Sequence, residues 1–213
     1  SQFVSGDEIL VLALKFISSY DEDPYFFRST DGGQTWTQSA IYENPPYIFL
    51  STSGDDVKVW REGGRIWINS QTELYYSTDD GINWTQIVKP PDAYFNEVAV
   101  YGDNILAYYY YAQYHSSDLG ATWTTIQDTA YNQDLFADGP FLILLSQDSL
   151  FTSNDFGQNW LGEPSSFYNL NGVKRASNGS FLLFSSEIYQ SANGLNWQQI
   201  TQSDQYYGIL DGV

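Results

Sequence analysis

The chain contains no cysteine in its 213 residues. That excludes disulfides, thiolate zinc sites and cysteine nucleophiles, and it leaves the compartment open. A single histidine, His115, rules out a metal site built from several imidazoles. It stands immediately before a serine of a repeated motif, the place of a hairpin-flanking residue rather than a catalytic base. Cations are scarce: Lys and Arg total 8 against 26 Asp and Glu, for a net charge of −18. Nucleic acid and anionic membrane surfaces need clustered Lys and Arg, so neither is an expected partner. The imbalance is also uneven, with no basic residue between Lys89 and Lys174 while acids recur from Asp92 to Glu163. Such a surface suits solubility, cations or neutral polar ligands. No apolar run approaches the roughly 20 residues that span a bilayer, and no window carries a helical period. No signal-peptide pattern stands at the start, as expected of a processed chain or of one made without a leader.

Aromatic residues, by contrast, make up 18% of the chain, and with Val, Ile and Thr they fill short apolar runs of the kind that form strands. Among them one pattern occurs five times. Four copies read Ser-x-Asp-x-Gly-x-x-Trp and are anchored by Ser29/Asp31/Trp36, Ser77/Asp79/Trp84, Ser116/Asp118/Trp123 and Ser153/Asp155/Trp160. The fifth, Ser191/Asn193/Trp197, is one residue shorter and replaces Asp with Asn. The tryptophans lie 48, 39, 37 and 37 residues apart, and a period near 40 marks a repeat architecture. Each copy describes a hairpin tip. An Asp or Asn side chain accepts backbone N–H bonds from the residues that follow it, Gly supplies a conformation a side chain opposes, and Trp re-enters an apolar layer.

Alignment on the tryptophans yields a unit of four short strands. Strand A covers 57–60, 97–101, 134–137 and 172–175; strand B is the most apolar, at 65–69, 105–109, 141–145 and 181–184. Strand C runs into the motif and strand D follows the Trp. Near-continuous hydrophobicity in B fits a strand covered on both faces. A four-stranded meander repeated about an axis is a propeller. The expected fold is therefore all-β, a single five-bladed β-propeller of four-stranded antiparallel blades. Its units fall near 1–56, 57–96, 97–133, 134–171 and 172–207, with a closing strand at 208–213. That closing strand is expected to complete the first blade and to close the ring by pairing the two chain ends. Phe3-Val4-Ser5-Gly6-Asp7 also reads as a strand A and its turn. It is either a short edge or a spare strand for self-association with a second molecule.

The five motifs resemble the Asp-box, or BNR, repeats of sialidases, sortilin-type receptors, xyloglucan-active hydrolases and photosystem II assembly factors. The resemblance spans about Ile9 to Leu210. It implies a propeller with the boxes at the blade periphery, so the fifteen anchoring residues named above take structural roles. It does not fix function. A sialidase would need three converging arginines, and the chain has only Arg28, Arg61, Arg65 and Arg175. The Phe/Tyr-Arg-Ile-Pro opening motif is missing, and six blades would be expected instead of five. Glycoside hydrolysis needs two carboxylates across a cleft, a condition that acid abundance alone does not meet. Three carboxylates in the segment 18–24 (Asp21, Glu22, Asp23) lack the Asp-x-Asp-x-Asp-Gly pattern of a calcium loop and read as a solvated loop tip. No catalytic residue, metal or cofactor is expected.

A second periodicity accompanies the boxes. Tyr47, Tyr94, Tyr131, Tyr168 and Tyr206 stand in the D–A connections, 47, 37, 37 and 38 residues apart. Asp92, Asn96, Asn132, Asp134, Asn169 and Asn171 lie close by. Tyrosine faces beside amides and carboxylates are what neutral sugars use, and several weak sites on one face add up. The same tyrosines would also fit between blades with only the hydroxyl at the rim. The sequence thus reads as a non-catalytic recognition propeller, extracellular or at a cell surface, with a neutral glycan or a protein as partner. The alternatives are an assembly protein working through edge-strand contacts and a glycoside hydrolase of sialidase-like architecture.

Overall fold

In a computed structural model the structure describes residues 2–18, 21–40, 57–70, 73–109, 111–127, 132–146, 149–164, 167 and 169–200. Every regular element among them is a strand. The first sheet holds β1 (Gln2–Ser5), β2 (Glu8–Ser18), β3 (Asp21–Ser29) and β4 (Thr37–Ala40). The second holds β5 (Lys58–Glu62), β6 (Arg65–Asn69), β7 (Leu74–Ser77) and β8 (Thr85–Ile87). The third holds β9 (Glu97–Tyr101), β10 (Asn104–Tyr109), β11 (Ala112–Ser116) and β12 (Thr124–Gln127). The fourth comprises β13 (Asn132–Asp138), β14 (Phe141–Ser146), β15 (Ser149–Ser153) and β16 (Leu161–Pro164). The fifth comprises β17 (Gly172–Arg175), β18 (Phe181–Phe184), β19 (Ile188–Ser191) and β20 (Gln198–Gln199). Each sheet is an antiparallel meander in chain order, and the five match the blades of a five-bladed β-propeller. They fall in two compact units, Ser1–Ile126 and Gln127–Val213.

Within each unit the core lies between sheets, which explains the apolar B strands. Leu10, Leu12 and Phe26 of the first sheet pack on Val59, Ile66 and Ile68 of the second. Trp67, Leu74 and Ile87 of the second pack on Val100, Ile105 and Ala107 of the third. In the other unit, Ile143, Leu145 and Leu150 meet Val173, Phe181 and Leu183. A strand between two such layers has no solvent face, so alternation disappears: Ile66, Trp67 and Ile68 of β6, between the first and third sheets, are all buried. First strands of successive sheets adjoin, β1 with β5 and β13 with β17, which makes them the inner strands.

Two readings of the sequence change here. The place beside β2 belongs to β1, in register Phe3↔Leu10 and Val4↔Ile9, so the N-terminal segment serves as strand A of its own sheet. A turn at Gly6-Asp7 brings it there, with Gly6 at φ +59°. The closing strand at 208–213 lies outside the described residues. The acidic segment after Ser18 is likewise no plain loop: Asp21–Pro24 extend β3, paired with Leu14 to Phe16 and with Ser18.

The boxes form one repeated hydrogen-bonded hairpin. In the third sheet Ser116 Oγ donates to Asp118 Oδ1 at 2.8 Å and accepts from Gly120 N at 2.8 Å. Asp118 Oδ1 then accepts from Thr122 N at 2.8 Å, and Oδ2 from the Thr122 hydroxyl at 2.6 Å. Ser29/Asp31, Ser77/Asp79 and Ser153/Asp155 repeat this pattern. In the shortened copy Asn193 Oδ1 accepts from Ser191 Oγ, Leu195 N and Asn196 N, all at 3.0 Å. A bond from Leu119 N to Asp103 O (2.8 Å) ties the third box to the turn between β9 and β10. Boxes and A–B turns therefore share one end of each blade, and the B–C turns and D–A connections share the other.

The box tryptophans divide by the place of their sheet. Three pack on the preceding sheet's core, as the sequence implied. Trp84 meets Phe26 edge-on with centroids 5.1 Å apart, and Trp123 lies 5.4 Å from Phe95. Trp197 of the fifth sheet is half-buried against the cluster that contains Ile143 and Leu145 of the fourth. The other two depart from the expectation of a tryptophan that re-enters an apolar layer. Trp36 is 45% exposed, and Trp160 is half-buried without joining any core cluster of the described residues. Both belong to the first sheet of a unit, which has no earlier sheet of that unit to receive the ring. Trp197 differs in a second respect. Trp84 Nε1 donates to Gly81 O at 3.1 Å and Trp36 Nε1 to Gly33 O at 3.0 Å, whereas Trp197 Nε1 is buried with no hydrogen-bond partner among the described residues. The residue missing from the fifth box lies between Asn193 and Gly194, and Gly194 and Trp197 keep the three-residue spacing of the other boxes.

Candidate functional site

Five tyrosines marked the D–A connections, and of these only Tyr94 belongs to the described residues; Tyr47, Tyr131, Tyr168 and Tyr206 lie outside them. Tyr94 is 43% exposed, whereas its neighbour Phe95 is fully buried. The two point opposite ways because the connection enters β9 with strand-like alternation. Phe95 packs on Tyr114 and Trp123, both at 5.4 Å. Tyr94 instead leans on Tyr109 of β10 at 5.3 Å. The fifth sheet repeats the inward half of this arrangement, with Phe167 against Tyr189 at 4.7 Å.

Beside Tyr94 the connection folds around a cavity of about 390 Å³, lined by Gln86, Val88, Lys89, Pro90, Asp92 and Tyr94, among others. Pro90 and Pro91 rigidify its wall, and Asp92 holds a left-handed backbone conformation at φ +58°. Asp92 is exposed and makes no hydrogen bond or ion pair with any described residue.

Sequence reasoning missed the polar cluster on the inner side of this wall. Lys89 places its ammonium 4.2 Å from the Phe95 ring centroid and donates to Ser70 O at 3.0 Å. Burial takes its pKa down to about 7, against a smaller opposing pull from Glu73. Burial also pushes the Glu73 carboxyl up, although Tyr75 donates to its Oε2 at 3.1 Å. The Tyr75 hydroxyl is raised in turn, first by burial and then by the Glu73 charge. Asn69 Nδ2 donates to Phe95 O at 3.2 Å and completes the link between the β6–β7 turn and the connection. Two signals for this cluster were present in the sequence. Lys89 is the last cation before a long acidic stretch. A Ser, then Glu, then Tyr pattern recurs before the second and fifth boxes, where Tyr189 donates to Glu187 Oε2 at 2.9 Å.

The four arginines sit at the box end of the blades, in ion pairs. Arg28 reaches Glu8 at 2.9 Å and Asp80 at 3.3 Å, and Arg61 reaches the same two at 2.7 and 3.0 Å. Arg65 binds Asp103 at 2.8 Å, and Arg175 pairs with Asp138. Among the described residues no group of three or more His, Asp or Glu could hold a metal ion, and no helix is long and apolar enough to cross a membrane.

The BNR/Asp-box repeat family matches at residues 27–38 and 75–86. The chain carries these repeats, and its first two boxes fall within the matched segments. No curated protein matches the sequence. Among solved structures, YCF48 bound to a D1 peptide is similar at 18% identity and TM-score 0.56, over 92% of this chain and 72% of that one. YCF48 from Cyanidioschyzon merolae is similar at 14% identity and TM-score 0.57, over 93% and 74%. The GH74 xyloglucanase from Xanthomonas campestris gives 15% identity and TM-score 0.57, over 92% of this chain but only 31% of the enzyme. At these identities the likeness establishes the propeller fold.

Proposed function

We propose that this chain is a recognition module that grips an extended ligand, foremost a peptide segment of a protein partner, at the end of the second and third blades carrying the D–A and B–C connections. The observation that carries this reading is the Tyr94 ring, exposed yet braced by Tyr109, at a cavity of about 390 Å³. A braced aromatic ring offers contact area with little entropy left to lose, as in other binding surfaces. Openings of this size between blade connections suit side chains of a bound segment. A peptide is also what one fold neighbour, YCF48, is bound to.

A neutral glycan is the second reading. Tyr94 next to Asp92 supports it, since a ring takes a sugar's C–H face and a carboxylate takes its hydroxyls. Parallel screens of the purified chain on a peptide library and a glycan array, with Tyr94→Ala alongside, test both. Peptide binding that the variant loses supports the first reading. Glycan binding lost in the same way would replace it with the second. Hydrolysis of any arrayed glycan would overturn both in favour of an enzyme.

A further inference from the structure

We infer that the occupant of the Tyr94 site is cationic: a partner segment presenting Arg or Lys side chains, whose charged heads lie on the exposed tyrosine faces beside Asp92. This rests on the recognition reading above and names the chemistry of its ligand.

Charge is the first argument. With a net charge of −18, the chain draws cations and repels anions at long range. From residue 90 to residue 126 there is no Lys or Arg, while Asp92, Glu97, Asp103 and Asp118 occur. Two of those four carboxylates already have a cation, Glu97 from Lys58 and Asp103 from Arg65. Asp118 is held within its own box. Asp92 is left, exposed and lining the cavity next to Tyr94. An uncompensated carboxylate at the mouth favours a positive group and disfavours a negative one.

The second argument is how this protein seats its own cations. Lys89 lies 4.2 Å from the Phe95 centroid, Arg175 5.4 Å from Phe181, and Arg65 5.8 Å from Tyr76. In each case an aromatic face takes the charge, an attraction of roughly 0.5–2 kcal/mol depending on how dry the contact is. The Tyr94 end presents the same kind of face outward. Tyr94 is 43% exposed and Tyr111, in the β10–β11 turn, is 51% exposed, with Tyr109 packed against Tyr94 at 5.3 Å. Lys89 opposes a second cation only weakly, because its head turns inward onto Phe95 and Ser70 O and burial brings its pKa to about 7.

Fluorescence anisotropy with three labelled octapeptides, alternating glycine with arginine, serine or glutamate, tests the inference at about 0.15 M salt. The arginine peptide is expected to bind the intact chain, and the other two are expected to bind at least about tenfold more weakly. Tyr94→Ala is expected to lose about tenfold in affinity for the arginine peptide. Tyr94→Phe, which keeps the ring, and Tyr101→Ala, an exposed tyrosine at the box end, are expected to keep it. Arginine-peptide binding indifferent to Tyr94→Ala would mean diffuse attraction to an acidic surface and overturns the inference. Equal or tighter binding of the serine peptide, lost in Tyr94→Ala, would overturn the cationic ligand while leaving the recognition reading intact. No binding of any of the three overturns it too, and the library screens above then decide the broader reading separately.

Discussion

At the residue scale, the glycine of the second and third boxes does two jobs. Gly81 and Gly120 adopt φ +86° and +82°, where a side chain is strained. They also lie against the preceding sheet: a Cβ on Gly81 would overlap the Phe26 ring, and one on Gly120 would overlap Ile87. Gly120→Ala is therefore expected to cost about 2–4 kcal/mol, strain and overpacking together, measured as a shift in the urea midpoint. A cost under about 1 kcal/mol would show that the third box can pull away from β8 without penalty. The box aspartates give a second expectation. Bonds from the Thr35 hydroxyl and N–H and from Ser29 hold the Asp31 pKa down to about 2, and Asn159 and Ser153 do the same for Asp155. A carboxyl with a lowered folded pKa adds stability that is present above its ordinary value near 3.8 and lost as pH falls toward 2. The thermal midpoint should thus fall between about pH 4 and pH 2, and the fall should be shallower in Asp155→Asn. Asn193 shows that an amide can hold the hairpin.

At the scale of elements, strand placement was legible almost to the residue, because each box fixes where C ends and D begins. β6, β9, β17 and β18 fall on the strands read from sequence. What the periodicity did not reveal is which member of an aromatic pair faces out. Tyr94 and Phe95 are adjacent, and only the neighbouring third sheet, with Tyr114 and Trp123, decides that Phe95 is the buried one. The five tryptophans carry the same lesson: identical in the motif, they differ in what they pack on, since Trp84, Trp123 and Trp197 join a core cluster of their unit and Trp36 and Trp160 join none among the described residues. The Lys89 cluster was hidden for a like reason: its parts come from β6, β7 and the β8–β9 connection and meet only after the sheets stack. That cluster carries a testable cost. The folded pKa of Lys89, about 7, lies below its unfolded value of 10.5, so folding opposes its charge. The sign follows from proton counts, since between those values the unfolded chain binds more protons and stability rises with pH. Lys89→Met keeps the stem over Phe95 and removes the charge. The variant is expected to be more stable than the parent at pH 6–7, by roughly 1–3 kcal/mol, with the gap closing toward pH 10. A less stable variant would mean that the bond to Ser70 O outweighs desolvation.

For the whole molecule, the decisive quantity is the excess of acids. Several of the few cations are already engaged: Arg28 and Arg61 with Glu8 and Asp80, Arg65 with Asp103, Lys58 with Glu97, Arg175 with Asp138. With 8 cations to 26 acids the negative charge stays largely uncompensated, and the mutual repulsion of the acids favours expansion. Added salt acts on both terms with opposite sign. It weakens the ion pairs, most of them exposed enough to be worth about 1 kcal/mol or less each. It also screens the repulsion, because the Debye length shrinks from about 30 Å at 0.01 M to about 8 Å at 0.15 M. With a net charge of −18 the second term is the larger. The thermal midpoint is expected to rise when sodium chloride goes from about 0.01 M to 0.15 M, and to flatten beyond that as repulsion is exhausted. Glu8→Gln separates the terms: it removes one excess charge but also the carboxylate shared by Arg28 and Arg61. It should be destabilised by about 1–3 kcal/mol at every salt concentration, with the same upward slope. A midpoint that falls with salt would instead make the Glu8–Arg28–Arg61–Asp80 network, rather than charge repulsion, the main electrostatic contribution to stability.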